Sequence, residues 1–164
     1  MGFIEETGIA QRLRDTRIAT IYEGTNGIQA IDLVMRKIVR DRGEALGELL
    51  DEVDASIESA RSTDGLGDVC AELAAASAEA RQLGRWLIEH HATDRRAVLT
   101  GATAYQELLS LVVATHLLVQ AAVAPGASDR ERARARMFTA TLLARRPTEA
   151  DIRLGDTTVD AAVG

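Results

Sequence analysis

The sequence has few prolines, one cysteine and no excess of positive charge, and these features limit the fold, the location and the partners that can be expected. Only two prolines occur among 164 residues, so few positions force a helix to stop. Alanine, leucine, glutamate and arginine are abundant, and these residues favour helix over strand. The composition therefore predicts an all-α protein. The length allows one domain, or a fragment plus one small domain.

The shortage of positive charge limits the expected partners. Lysine and arginine number 19 against 25 aspartates and glutamates, which gives a formal net charge of −6. Such a chain has no diffuse attraction for phosphate backbones or for anionic lipid. Nucleic acid and membrane surfaces are therefore not expected partners.

The single cysteine and the first residues predict a cytoplasmic location. Cys70 has no second cysteine to pair with, and its small apolar neighbours indicate a core residue rather than a reactive thiol. The initial residues, MGFIEETG, lack the basic and apolar regions of a secretory signal. A reducing cytoplasm is compatible with both observations.

Apolar residues recur at steps of three and four through most of the chain, which is the spacing of amphipathic helices. Short polar connections favour antiparallel neighbours, so the predicted architecture is an up-and-down helical bundle. The expected helices cover residues 5–15, 28–42, 46–60, 66–87, 98–123 and 128–143, and a frayed tail is expected from residue 147.

Two apolar or charged stretches have plain structural interpretations. Residues 108–124 are apolar, but they are short for a membrane span and contain Ser110, Thr115 and His116, so we expect a buried core helix and no membrane span. Alternate arginines from Arg130 to Arg136 would spread around a helix, which indicates a solvated surface. Neither stretch predicts a binding site.

Histidines offer no metal site in this sequence. His90 and His91 have no cysteine or carboxylate at ligand spacing, so we expect them to cap a helix end. His116 lies on an apolar stripe, where a core histidine is commoner than a ligand. The sequence also lacks a P-loop, a nucleophile elbow and a complete dinucleotide fingerprint.

One loop carries a candidate catalytic group. Glu23 stands between Tyr22 and Gly24, directly before a predicted helix that Thr25 or Asn26 can cap. Glycine lets a ligand approach the main chain closely, and the first turn of a helix offers free N–H groups. Spacing alone leaves two alternatives open, a catalytic base and an ordinary turn or capping carboxylate.

A resemblance to a known family bears on that choice. Residues 2–7 read GFIEET, residues 12–18 read RLRDTRI and residues 21–29 read IYEGTNGIQ. Together they resemble the C-terminal signature of acyl-CoA dehydrogenases over roughly residues 2–40. The sequence beyond about residue 43 resembles, more weakly, the helical domain appended to some larger members of that family.

The resemblance implies a domain organisation. Residues 1–42 would be the last part of the dehydrogenase C-terminal helical domain, residues 43–146 the appended helical domain, and residues 147–164 the tail. The family's N-terminal helices and β domain have no counterpart in this sequence. They are expected partners, as parts of one polypeptide or as a companion chain, and a homo-oligomer is expected.

The resemblance also implies an activity. Family members bind FAD and convert an acyl-CoA thioester into the trans-2-enoyl-CoA, as in fatty acid β-oxidation. Glu23 would be the base that removes the proton α to the thioester, while a hydride leaves the β carbon. Tyr22 and Gly24 would line the acyl-thioester pocket.

The same resemblance implies that Thr25, Asn26 and Gly27 contact FAD. Gly27 departs from shorter family members, which carry a glutamine there, so only main chain can serve at this position. Arg14, Asp15 and Arg17 are expected to brace the loop. The competing hypothesis is a catalytically silent helical module for oligomerisation or partner binding.

Overall fold

The computed structural model describes residues 8–21 and 26–153. Most of these residues are helical, and no strand occurs in either range. The α-helices are α1 (Ile9–Ile21), α2 (Asn26–Asp32), α3 (Glu44–Ala60), α4 (Gly67–His90), α5 (Arg95–Val123), α6 (Asp129–Thr141) and α7 (Glu149–Arg153). A π-helical segment (Leu33–Val39) continues α2, and a 3₁₀ turn (Leu143–Arg145) follows α6. The all-α prediction is confirmed.

The first helices differ from their predicted bounds. α1 reaches Ile21 rather than ending near residue 15, because no glycine or proline interrupts the chain before Gly24. α2 begins at Asn26 and runs without a break into the π-helical segment. After the π-helical segment, the Gly43 amide donates a hydrogen bond to the Ile38 carbonyl oxygen at 2.8 Å, across five residues. This wider turn is absent from the sequence prediction.

Side-chain caps place the ends of the later helices where the sequence indicates. The Asp94 carboxylate accepts the Ala97 amide at 3.1 Å and starts α5. Ser128 and Glu131 form the predicted capping box at the start of α6. Each cap satisfies amides that have no partner within the helix. α5 ends at Val123, just before the Pro125-Gly126 pair.

α5 is the central helix of the core. It contacts α2, α3, α4, α6 and α7, and its buried stripe faces that of α4, as the spacing predicts. The predicted boundary at residues 42 and 43 remains a prediction, since Ala30, Val34 and Ile38 share one core cluster with the later helices.

The same helix is long and apolar enough to cross a membrane, judged by length and composition alone. Soluble proteins contain core helices that pass this test. Here the buried stripe includes the polar side chains of Tyr105, Thr115 and His116, and five other helices pack around it. The packing agrees with the expected core helix.

Three helices approach one another closely at Gly84 on α4. A β carbon there would come within 2.5 Å of Leu46 Cδ2 and 2.8 Å of the Tyr105 hydroxyl oxygen. Tyr105 is fully buried and donates its hydroxyl proton to the Ala80 carbonyl at 3.0 Å. A residue without a side chain therefore lets α3 and α5 both pack closely against α4.

The expected frayed tail is corrected in part. α7 covers Glu149–Arg153, and its Ile152 is fully buried. The Ile152 carbonyl oxygen lies 2.1 Å from the position that a β carbon on Gly101 would occupy, so α7 packs directly on the backbone of α5. Arg146 binds Glu79 at 2.8 Å and Glu72 at 3.3 Å, which ties the preceding turn to α4. Residues 154–164 lie outside the described residues.

Replacing Gly84 tests the close approach of three helices. Gly84→Ala should lower the free energy of unfolding by about 1–3 kcal/mol, because the added methyl group must displace Leu46 and Tyr105. Gly47→Ala is the matched control, since no atom lies within 4 Å of its β-carbon position. It should instead stabilise α3 by roughly 0.5–1 kcal/mol. Urea unfolding of both variants measures the difference, and equal effects would contradict this packing.

The buried phenol of Tyr105 predicts a loss of stability in alkali. Burial raises the pKa of Tyr105 well above its ordinary value. Its contribution is therefore complete below about pH 10 and falls above it by about 1.4 kcal/mol per pH unit, because the unfolded chain ionises first. Urea unfolding between pH 8 and pH 11 should show this slope in the native chain.

The control for that slope is Tyr105→Phe, which keeps Cys70. Burial also raises the pKa of the Cys70 thiol, and this effect is common to both proteins. The variant should lose about 0.5–1.5 kcal/mol at neutral pH, from the missing hydrogen bond. The free energy of unfolding of the variant should fall less steeply above pH 10 than that of the native chain. Parallel curves for the two proteins would show that burial does not protect the phenol from ionisation.

Candidate functional site

The candidate site is the loop between α1 and α2. Its predicted base, Glu23, the predicted pocket residues Tyr22 and Gly24, and the predicted cofactor residue Thr25 lie outside the described residues. Their roles stay predictions. The structure does describe the two helices that flank the loop and the first residues of α2.

Asn26 and Gly27 form the start of α2, and both are exposed. Among the described residues, no atom apart from those of the chain neighbours and the helix's own backbone lies within 4 Å of the place where Gly27 would carry a β carbon. The main chain at this position is therefore open to approach from outside. The structure brings these two predicted cofactor residues together, at the junction between loop and helix where the sequence puts them.

Burial of one side holds α2 in place. Ala30 on α2 and Val34 on the π-helical segment that continues it have no exposed surface, and α2 packs along α5. Asp32 pairs with Arg36 at 2.8 Å on the exposed side. Because its inner face is part of the core, α2 presents its first residues from a fixed support.

On the other side of the loop, α1 carries the residues predicted to brace it. Arg14, Asp15 and Arg17 are exposed. Arg14 and Arg17 each take part in a contact or an electrostatic interaction. The Thr16 hydroxyl donates to the Arg12 carbonyl at 2.7 Å, within the helix itself. Whether the three charged residues brace the loop remains a prediction.

A shallow apolar groove runs along α5, next to Leu33 at the start of the π-helical segment. Its volume is about 390 Å³, and it is lined by Leu33, Gln106, Leu109, Ser110, Val113, Ala114 and Leu117. Leu117 is 56% exposed, and Ile28 on α2 is 65% exposed. Large apolar side chains therefore remain in contact with water on this side of the bundle.

Sequence analysis missed this groove, although a signal for it exists. Gln106, Ser110, Val113 and Leu117 follow one another at steps of four, three and four on α5. They form a second stripe beside the buried one, and that stripe becomes apolar toward its end. The hydroxyl of Ser110 donates to the Gln106 carbonyl at 2.8 Å, so the polar part of the stripe is satisfied locally.

Histidine and cysteine take structural roles. Nδ1 of His90 lies 2.9 Å from the Trp86 carbonyl oxygen, and Nδ1 of His91 lies 2.6 Å from that of Ile88, consistent with the predicted capping role. No group of three potential metal ligands occurs among residues 8–21 and 26–153. Cys70 is buried, and burial raises the pKa of its thiol although Arg61 acts in the opposite direction. A raised pKa disfavours the nucleophilic thiolate.

An all-helical chain that carries a dehydrogenase signature at a loop before a helix defines a class, the C-terminal helical segments of acyl-CoA dehydrogenases. Residues 49–155 match the family described as acetyl-CoA dehydrogenase C-terminal like. The chain belongs to this family.

Curated relatives agree with that assignment. The chain is 54% identical over 56 residues to 3-methylmercaptopropionyl-CoA dehydrogenase of Ruegeria pomeroyi, which covers 34% of this chain and 10% of the relative. It is 33% identical over 135 residues to the broad-specificity linear acyl-CoA dehydrogenase FadE5 of Mycobacterium tuberculosis, and the match covers 78% of this chain and 22% of the relative. Butyryl-CoA dehydrogenase of Syntrophomonas wolfei is 36% identical over 63 residues, and the match covers 38% of this chain and 10% of the relative.

The chain thus spans about a fifth or less of the length of these relatives. No solved structure matches it significantly. The activity of a complete dehydrogenase is therefore considered as a proposal.

Proposed function

We propose that the chain is the C-terminal portion of an FAD-dependent enzyme that converts an acyl-CoA thioester into the trans-2-enoyl-CoA. The signature over residues 12–29 carries this proposal. Family membership and three relatives named as acyl-CoA dehydrogenases support it. The described junction supports it as well, because Asn26 and Gly27 are exposed at the start of a firmly packed helix.

In this proposal Glu23 removes the proton from the carbon next to the thioester carbonyl. That proton is very weakly acidic, so the carbonyl oxygen must be hydrogen-bonded and water must be excluded while the carboxylate is held in contact. The main-chain N–H of Glu23 would donate to the carbonyl oxygen. Tyr22 and Gly24 would line the pocket around the acyl-thioester.

Thr25, Asn26 and Gly27 would hold the flavin cofactor. FAD, when bound, supplies the acceptor for the hydride that leaves the β carbon. The described residues fit this role in one respect, because Gly27 has open space around its β-carbon position. A bulky group can therefore reach the main chain there. Without a side chain, Gly27 would contribute only its backbone.

The base is tested by Glu23→Gln in an assembly that also contains the dehydrogenase portion present in the relatives. That portion is supplied on the same polypeptide or as a companion chain. Turnover of acyl-CoA should fall by at least about 10²–10⁴-fold, because general-base catalysis contributes that much, while flavin absorbance of the purified protein stays unchanged. Glutamine preserves the shape of the side chain and removes only its basicity.

Glu48→Gln serves as the control for charge removal, since Glu48 is exposed on α3. It should retain full turnover. Anaerobic mixing with acyl-CoA gives a second measurement, because bleaching of the flavin reports the chemical step without an electron acceptor. Normal bleaching in Glu23→Gln would remove Glu23 from its assigned role.

A second candidate function is supported by the exposed apolar side chains. Ile28 and Ile31 on α2 and Leu117 on α5 remain accessible to water, and Leu117 lines the groove of about 390 Å³. Exposed apolar surface of this kind marks an interface in many proteins. A catalytically silent module would use the groove side for a homo-oligomer or another protein.

Leu117→Gln tests that use. If the groove side joins copies of the chain, the variant should shift the mass measured by light scattering toward the monomer, because a polar group would be buried in the contact. Met137→Gln is the matched control, as Met137 is 63% exposed on α6 and lies outside the groove. Equal masses for all three proteins would argue against self-association through this surface.

A further inference from the structure

A small cavity lies where the turn before α3 meets the end of α4. Its volume is about 180 Å³. The lining residues are Arg42, Gly43, Leu46, Gly47, Leu50, Arg81, Arg85 and Ile88. Three arginines, two from α4 and one from the turn before α3, therefore meet around a floor that is otherwise apolar or glycine.

Two of the three arginines have no acidic partner within the described ranges. Arg81 binds Asp51 at 2.9 Å and Asp54 at 3.0 Å, both on α3. The side chains of Arg42 and Arg85 form no ion pair or hydrogen bond with any described residue, and both residues are exposed and line the cavity. The cavity thus carries uncompensated positive charge in a chain whose net charge is −6.

The backbone fixes where Arg42 stands. Its φ is 59° and that of Gly43 is 80°, a left-handed pair that non-glycine residues rarely adopt. The Asp41 carboxylate holds this turn by accepting the Gly43 amide at 2.9 Å and the Ala45 amide at 3.1 Å. Asp41 thereby occupies the first amides of α3. A ligand in the cavity would be held by guanidinium groups and not by the helix end.

The chemistry of the site favours phosphate. Guanidinium groups donate two parallel hydrogen bonds to phosphate oxygens, and such charge-assisted pairs are stronger than neutral ones. Apolar walls from Leu46, Leu50 and Ile88 strengthen these interactions by lowering the local dielectric. The cavity is smaller than the roughly 300 Å³ at which pockets for drug-sized ligands begin, so it would enclose a phosphate end and leave the remainder outside.

We propose that Arg42 and Arg85, supported by Arg81, form a binding site for the phosphate end of a small anionic ligand. The site is formed by the turn before α3, by α3 and by α4, and Glu23 belongs to none of these elements. It therefore does not depend on the proposed dehydrogenase activity.

Titration of the full chain with inorganic pyrophosphate tests the site. Nuclear magnetic resonance should show saturable shifts of the Gly43 and Gly47 amides, which line the cavity. The double variant Arg42→Asn, Arg85→Gln should bind at least about tenfold more weakly, because two charge-assisted contacts are lost. Asparagine is chosen at position 42 because it tolerates the left-handed conformation.

Arg130→Gln controls for a general loss of positive charge, since Arg130 is exposed on α6 and outside the cavity. It should bind pyrophosphate as the native chain does. An equal loss of affinity in this control, or no saturable shift in the native chain, would overturn the proposal. Acetate at the same ionic strength should not compete, and equal binding of acetate would also overturn it.

A comparison of pyrophosphate with adenosine diphosphate separates two sources of the same chemistry. Equal affinities would support a site that recognises phosphate alone. Tighter binding of the nucleotide, lost in the double variant, would support a site for the phosphate end of a nucleotide whose base lies outside the cavity.

Discussion

The bundle depends on the contact among α3, α4 and α5 at Gly84. The missing side chain leaves room for Leu46 from one helix and for Tyr105 from another. The Tyr105 hydroxyl then reaches the Ala80 carbonyl one turn earlier on α4. An aromatic ring and its hydroxyl are both accommodated in the core, because the polar end is satisfied by backbone. α5, which takes part in this contact, is also the helix on which α2, α6 and α7 pack.

Both candidate sites rest on that core. α2 packs on α5 and presents Asn26 and Gly27 at its exposed start. The cavity with Arg42 and Arg85 lies where the turn before α3 approaches α4, and Gly43 is close enough to Ile88 that a β carbon would lie 2.8 Å from its Cδ1 atom. Because Gly43 has no side chain, the turn before α3 can lie close to α4. This closeness brings Arg42 and Arg85 to the same cavity.

Much of the fold could be predicted because its signals are local. The stripes of α4 and α5, the Asp94 cap and the Ser128 capping box are all visible within a few turns of sequence. α7 is too short to show periodicity, and its position depends on Gly101, far away along the chain. For the candidate site, the sequence placed Asn26 at a helix start, whereas the groove depended on which side of α5 stays uncovered. The cluster of Arg42 and Arg85 needed the tertiary structure, since the two residues lie on different elements.

The exposed start of α2 places a requirement on the proposed chemistry. Removal of a thioester α-proton needs a site from which water is excluded, yet Asn26 and Gly27 face solvent in this chain. The apolar side chains of Ile28 and Leu117, on the same packed pair of helices, would likewise be stabilised by a covering surface. One partner surface on α2 and α5 would meet both needs. In the proposed enzyme, catalysis and association through this side of the bundle are therefore compatible.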